Sequence, residues 1–175
     1  MTTVIILSEH GFEEAALGLS LSYDREAANM PAVMARLFKA DGGHNKFLES
    51  MMLWVDILAP RHFWQQFDTY RTLTKQSGST MHTLTRRAIS QDDFEQPIPP
   101  ETLARLNSLI VFKDLATLKN ELPEGYLQRR IVCLSYKTLR NIIAQRRTHR
   151  NKPWQIFCKE MIAQARHYGF LEDLK

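Results

Sequence analysis

At 175 residues the chain suits one domain over residues 1–175, large enough to bury roughly two-thirds of the surface that its unfolded form exposes without disulfide or metal staples. With 44% apolar and 24% charged residues it reads as an ordinary globular protein, which excludes disordered and fibrous classes. Its formal net charge of +4 is unevenly spread: residues 1–60 carry 4 Lys+Arg against 8 Asp+Glu, and residues 61–175 carry 19 against 11.

That basic second part suits an anionic partner such as a nucleotide, a flavin phosphate or a nucleic acid backbone. The two cysteines, Cys133 and Cys158, lie in apolar segments without partner spacing, so neither a disulfide framework nor a zinc site is expected. The opening MTTVIILSEHGF lacks a basic leader and its apolar run is too short for a signal peptide or a membrane span. A cytoplasmic protein without a membrane partner is therefore expected.

In chain order, an apolar run from Val4 to Leu7 precedes Gly11, and a helix is predicted over Asp24–Lys39 with Met30, Val33, Met34 and Leu37 on one face. Asp41-Gly42-Gly43 stops it. From Ser50 to Leu58 the residues Met51, Leu53, Val55 and Ile57 alternate, and apolar Met52 and Trp54 between them make cover on both faces the expectation for this strand. Pro60 opens a helix ending near Arg71, with Phe63, Phe67 and Tyr70 as its apolar stripe. Residues 72–80 are hydroxyl-rich, contain Gly78 and read as a loop, and the acidic, proline-rich stretch 91–100 reads as an exposed connection. Helices follow over Glu101–Lys113 and on to Asn120, then a turn at 122–125, a strand over Leu127–Leu134, and helices over Tyr136–His149 and Pro153–Tyr168.

Two polar residues fall on apolar helix faces. Arg146 lies at i+7 from Leu139 and i+4 from Ile142, so its guanidinium must snorkel, pair with a carboxylate or meet a ligand. Gln66 sits among Phe63, Phe67 and Tyr70, where a core hydrogen bond is the default. No phosphate-binding glycine loop, HExxH or CxxC is present, and His10, His44, His62, His82, His149 and His167 are scattered, so metal catalysis is not indicated.

One segment carries a family pattern. His44-x4-Glu49-x9-Ala59-Pro60-x5-Gln66-x2-Thr69-Tyr70-Arg71-x7-Ser79 resembles, without a gap, the flavin-dependent thymidylate synthases of the ThyX family. Their signature is an Arg-His-Arg followed by seven residues, a Ser, one residue and an Arg. Leu122-Pro123, Ser135-x-Lys137, Leu139, Asn141, Arg146 and Trp154-Gln155-Ile156 match the spacing of that family's later helices.

The resemblance implies an α+β ThyX-like fold, a mostly antiparallel sheet flanked by helices. It also implies an enzyme that uses FAD to move a one-carbon unit from methylenetetrahydrofolate to C5 of dUMP or a related pyrimidine nucleotide, with NADPH as electron source and no cysteine nucleophile. A homotetramer with sites shared between subunits goes with it. Residue by residue, His44, Arg71, Lys137 and Asn141 match flavin contacts. Gln66, Ser79, Lys119 and Arg146 match nucleotide contacts, with Ser79 and Arg146 at the reacting base.

The chain also departs from the pattern. Thr69 and Tyr70 replace the first Arg and the His of the signature, Met81 its last Arg, Ser135 an Asn, and Ser77 an acidic residue. Losing two charge-assisted contacts weakens a ligand by roughly 10² to 10⁴, so a ThyX-fold protein that binds a nucleotide or another ligand without the flavin reaction is the alternative. A nucleic-acid module using Arg140, Arg146, Arg147, Arg150 and Lys152 is a third reading, without an accompanying surface aromatic platform in sequence.

Overall fold

The computed structural model describes residues 1–40 and 43–172. Strands β1 (Thr3–His10), β2 (Met52–Pro60), β3 (Leu73–Ser77) and β4 (Leu127–Ser135) form one sheet in the order β1-β2-β4-β3, every neighbouring pair antiparallel. Helices α1 (Phe12–Tyr23), α2 (Met30–Leu37), α3 (Arg61–Phe67), α4 (Thr80–Thr83), α5 (Pro100–Val111), α6 (Leu115–Glu121), α7 (Tyr136–Arg146) and α8 (Lys152–Gln164) complete it. The fold is α+β, 51% helical and 19% strand.

The period of two along β2 sets the inner face of the sheet. Leu53, Val55, Ile57 and Ala59 are fully buried and pack with Val132 and Leu134 of β4 and with the apolar stripes of α7 and α8. The other face is only partly covered, contrary to the pattern of Met52 and Trp54: Trp54 is 38% exposed, and Ile5 and Leu7 of β1 are each 54% exposed. The outer edge of β1 is closed by a side chain. Gln164 of α8 accepts from the Ile6 amide (2.9 Å) and donates to the Val4 carbonyl (2.8 Å), as a neighbouring strand would.

Three local readings are corrected. The first helix begins at Phe12, where Glu13, Glu14 and Gly18 interrupt the apolar period. It ends at Asp24 in a left-handed conformation (φ 48), just where the sequence suggested a helix would start. The helix that bears Met30, Val33 and Met34 is the separate α2, with Pro31 in its first turn; the expected stop at Asp41 and Gly42 lies outside the described residues. Residues 73–77, expected as loop, are the strand β3, because threonines suit a half-exposed edge that a longer neighbour can pair. Helices α3, α7 and α8 also stop at Phe67, Arg146 and Gln164, short of the predicted ends.

A smaller core of Leu84, Ile89, Phe94, Leu106, Leu109, Leu118 and Leu122 lies under α5 and α6. The connection that leads into it is clasped by Arg87, whose guanidinium grips both carboxylate oxygens of Asp93, while Asp93 also accepts from the Ser90 amide (2.8 Å). Arg87 above all, then that amide, holds the Asp93 carboxyl below the usual carboxylate range against the opposing effect of partial burial.

Gly11 sets the angle between β1 and α1. Its φ is +91, and an added Cβ would lie 2.3 Å from the Ser50 carbonyl oxygen, a backbone atom that cannot step aside. Gly11→Ala is expected to destabilise the protein by about 2–4 kcal/mol, from left-handed strain and overpacking together. Gly18→Ala, inside α1 with open space at its Cβ, is expected to stabilise by about 0.5–1 kcal/mol. Urea unfolding of both variants measures the pair.

A carboxyl whose folded pKa is depressed contributes stability that is present above its unfolded pKa of about 3.9 and is lost as pH falls through the folded value. Asp93→Asn is therefore expected to flatten the rise of unfolding free energy with pH in the acid range below about pH 4, read from urea melts across that range.

Candidate functional site

Five aromatic side chains form the wall on which the first group of candidate residues rests. Trp154, fully buried at the start of α8, lies 4.3 Å from Phe63, stacks on Phe67 at an interplanar angle of 10°, and meets Tyr70 and Phe157 edge-on. An indole only donates, and its Nε1–H goes to Gln66 Oε1 at 2.6 Å. The Gln66 amide oxygen thus accepts from Trp154, and its NH₂ end offers two donors that meet no acceptor among the described residues. The core hydrogen bond expected for Gln66 exists, and its partner is Trp154.

Arg146 lies over the face of the same indole, its guanidinium carbon 4.9 Å from the ring centre and 5.8 Å from that of Tyr70. Its Nε–H donates to the Tyr70 hydroxyl (2.9 Å), which donates in turn to Gln145 Oε1 (3.0 Å). The inward stripe read from sequence holds, since Leu139, Ile142 and Ile143 are fully buried while Arg146 is half-buried at the end of α7. Arg146 has no carboxylate partner among the described residues, and its two Nη groups have no protein acceptor there.

A second group surrounds the start of α7. Ser135 caps the helix by accepting from the Thr138 amide (3.2 Å), and Thr138 Oγ1 bonds both the hydroxyl (2.9 Å) and the carbonyl (3.1 Å) of Thr72. Exposed Arg71 immediately precedes Thr72 in the chain, as Lys137 precedes Thr138. Lys137 donates to the side-chain oxygen of buried Asn45, next to His44, and exposed Asn141 lies one turn further along α7. His44 lines a cavity of about 730 Å³ between α1 and residues 43–50, where Glu14, Tyr23, Lys46 and Phe47 also contribute.

Ser79 and Lys119 form a third group. Gly78 N–H donates to the Arg129 carbonyl (2.9 Å), which fixes Ser79 at the start of β4, and Lys119 of α6 reaches Met81 Sδ at 3.1 Å. Ser79 begins α4 with its side chain uninvolved in capping. Arg129 and Ser135 are six residues apart on β4, about 20 Å at roughly 3.3 Å per residue. Within one chain, Ser79 and the Lys137 group are therefore at opposite ends of the sheet, and β3 separates Ser79 from the turn that carries Tyr70. No hydrogen bond among the described residues joins Ser79 to Arg146.

Two groups of cations differ in their partners. Arg61, Lys75, Arg87, Arg105, Arg129 and Arg130 each pair with a carboxylate. Arg146, Lys119 and Lys137 are instead held by neutral groups: a phenol, a thioether and an amide oxygen. Among the described residues no carboxylate pairs with them. Nearby, slight burial together with the cations Arg146 and Arg150 pushes the His149 imidazole below its usual pKa, which favours its neutral form.

Burial raises the Cys133 thiol and pushes Cys158 up to about 12, so neither is a ready thiolate. Among the described residues no cluster has the makings of a metal site, and no helix is long and apolar enough to cross a membrane. Sequence reasoning missed Asn45 and Gln145. Each adjoins a residue that it singled out, but neither stands at a motif position, so only the fold reveals them.

No protein-family model matches the chain, and sequence comparison with curated proteins finds no match. Solved structures do resemble it. Thymidylate Synthase X (ThyX) from Helicobacter pylori, with FAD and dUMP, superposes over 100% of both chains with a TM-score of 0.84 at 17% identity. A second structure of that enzyme complexed with FAD and dUMP covers 98% of each chain at 0.82 and 15% identity. The UMP/dUMP methylase PolB from Streptomyces cacaoi, bound with 5-Br UMP, covers 93% of this chain and 88% of its own at 0.67 and 11% identity. At such identities the likeness speaks for architecture alone: the chain has a ThyX-like fold.

Proposed function

We propose that this chain binds a uracil-type pyrimidine nucleotide and transfers a one-carbon unit to its C5 carbon, using FAD, methylenetetrahydrofolate and NADPH. The observation that carries this reading is the split among its cations. Arg146, Lys119 and Lys137, which the ThyX resemblance singles out, are held by neutral acceptors, whereas Arg61, Lys75, Arg87, Arg105, Arg129 and Arg130 are neutralised by carboxylates. A cation held in this way keeps its charge for an anionic ligand.

The base-binding edge offers mainly donors. Gln66 offers NH₂ because its oxygen accepts from Trp154, and Arg146 offers its Nη groups. Uracil answers with two carbonyl oxygens, whereas cytosine turns an amino group toward one of these donors. In this reading Gln66, Ser79, Lys119 and Arg146 hold the nucleotide, with Arg146 at the pyrimidine, Ser79 at the reacting base and Lys119 near the phosphate.

FAD would be held by His44, Arg71, Lys137 and Asn141. His44 lines a cavity of about 730 Å³, within the size range of cofactor sites, and two cations with two neutral polar groups suit a diphosphate joined to a heteroaromatic ring. When bound, the flavin supplies the redox chemistry of the transfer. The chain's own groups bind and orient the nucleotide.

The proposed assembly is a homotetramer with composite sites. Two facts support it: Ser79 and the Lys137 group occupy opposite ends of one chain's sheet, and the sheet's outer face leaves Ile5, Leu7 and Trp54 exposed for a second copy. A second reading, a nucleotide-binding protein without the flavin reaction, is favoured by the internal engagement of Lys137 with Asn45 and of Ser135 with Thr138.

Calorimetric titration with dUMP and dCMP, with and without FAD, tests both readings. Binding of dUMP is expected to be at least about 10-fold tighter than binding of dCMP, and Arg146→Gln is expected to weaken it by about 10- to 100-fold. Retention of FAD, with its visible absorbance, supports the first reading, and dUMP binding without any flavin supports the second. A protein that binds neither ligand overturns both.

A further inference from the structure

We infer that Tyr70 is a positioning residue whose hydroxyl fixes the Arg146 guanidinium for its ligand. The inference rests on the nucleotide reading of Arg146 and deepens it. Tyr70 stands where the ThyX-like pattern has an imidazole, so its present role comes from this chain's own geometry.

An arginine side chain has four rotatable bonds before its planar head, and a cation over a ring face is free to slide and to rotate in that plane. Stacking on Trp154 therefore sets the height of the guanidinium but not its heading. The heading is set at Nε. Arg146 Nε–H donates to the Tyr70 oxygen at 2.9 Å, and the Tyr70 proton is committed to Gln145 Oε1 at 3.0 Å. The direction of this chain follows from its members, because a guanidinium has no acceptor and the Gln145 atom is an amide oxygen.

Each bond in such a chain polarises the next. With Nε tied back, the Nη pair is the part of the fork left to face a ligand. Tyr70 is itself steadied by edge-on packing against Phe67 and Trp154, so the anchor belongs to the same aromatic wall that orients Gln66. The two donors of the base edge are thereby registered to one another through one indole and one phenol.

Tyr70→Phe keeps the ring and its packing and removes only the hydroxyl. In the ¹⁵N spectrum of the ligand-free protein, the Arg146 Nε–H resonance is expected to be protected from solvent exchange in the wild type and to lose that protection in Tyr70→Phe. Exchange that is equally fast in both proteins overturns the proposal. In calorimetry with dUMP, Tyr70→Phe is expected to weaken binding by about 10-fold.

In an Arg146→Gln background the same change is expected to move the affinity by less than about 2-fold, because the hydroxyl acts through the arginine. An equal loss in both backgrounds marks a merely structural role and overturns the proposal. Wild-type protein that shows the protected Nε–H but ignores dUMP sinks the nucleotide reading, while the hold of Tyr70 on Arg146 stands. The two failures are therefore told apart.

Discussion

Trp154 is the constraint on which the candidate site depends. A fully buried indole must place its single N–H on an acceptor, and here the Gln66 oxygen meets it. That requirement turns the Gln66 amide so that its donors face outward. The face of the same ring carries the Arg146 guanidinium. One side chain thus fixes two candidate site groups from two helices, by its edge and by its plane, and its own position follows from packing against Phe63, Phe67 and Phe157. The core and the site are therefore not separable layers: a void opened beneath Trp154 moves both polar groups.

The sheet imposes the opposite condition on the remaining candidates. Because β3 and β4 are antiparallel and extended, the loop that carries Ser79 leaves one end of the sheet, and the turn that starts α7 leaves the other. No rotamer change spans about 20 Å, so within one chain these two groups do not converge on one small molecule. The outer sheet face is partly bare, and β3 is the last strand of the sheet on its side. The far edge of β1, by contrast, is closed by Gln164, which removes one route to unwanted strand pairing.

Much of this arrangement was legible in the residues. The alternation of Leu53, Val55 and Ile57 gave β2, Pro153 marked the start of α8, and the i+4 and i+7 spacing of Arg146 placed it on the buried stripe of α7. What stayed hidden has identifiable causes. The first helix was obscured by glutamates, serines and a glycine that break the apolar period, and its end at Asp24 depends on a left-handed φ that composition does not announce. The strand β3 was read as loop because an edge strand borrows its order from its neighbour. The engagement of Lys137 with Asn45, and of Arg146 with Tyr70 and Gln145, joins residues 75 to 92 positions apart, and no local pattern records such pairs.

The departures from the ThyX signature take on a physical sense once their neighbours are known. Met81, in place of an arginine, supplies the thioether that meets the Lys119 ammonium. A thioether is a weak acceptor, so the lysine gives up little when an anion arrives. Had a carboxylate stood there, as Glu121 does for Arg105 in the same helical pair, a phosphate would have had to displace a like charge. Tyr70, in place of a histidine, likewise holds Arg146 without neutralising it. Both replacements give up a charged or ionisable group and leave another cation without a carboxylate among the described residues. A site can lose the letters of a motif and keep its charge, provided that the new residues hold the remaining cations with neutral atoms.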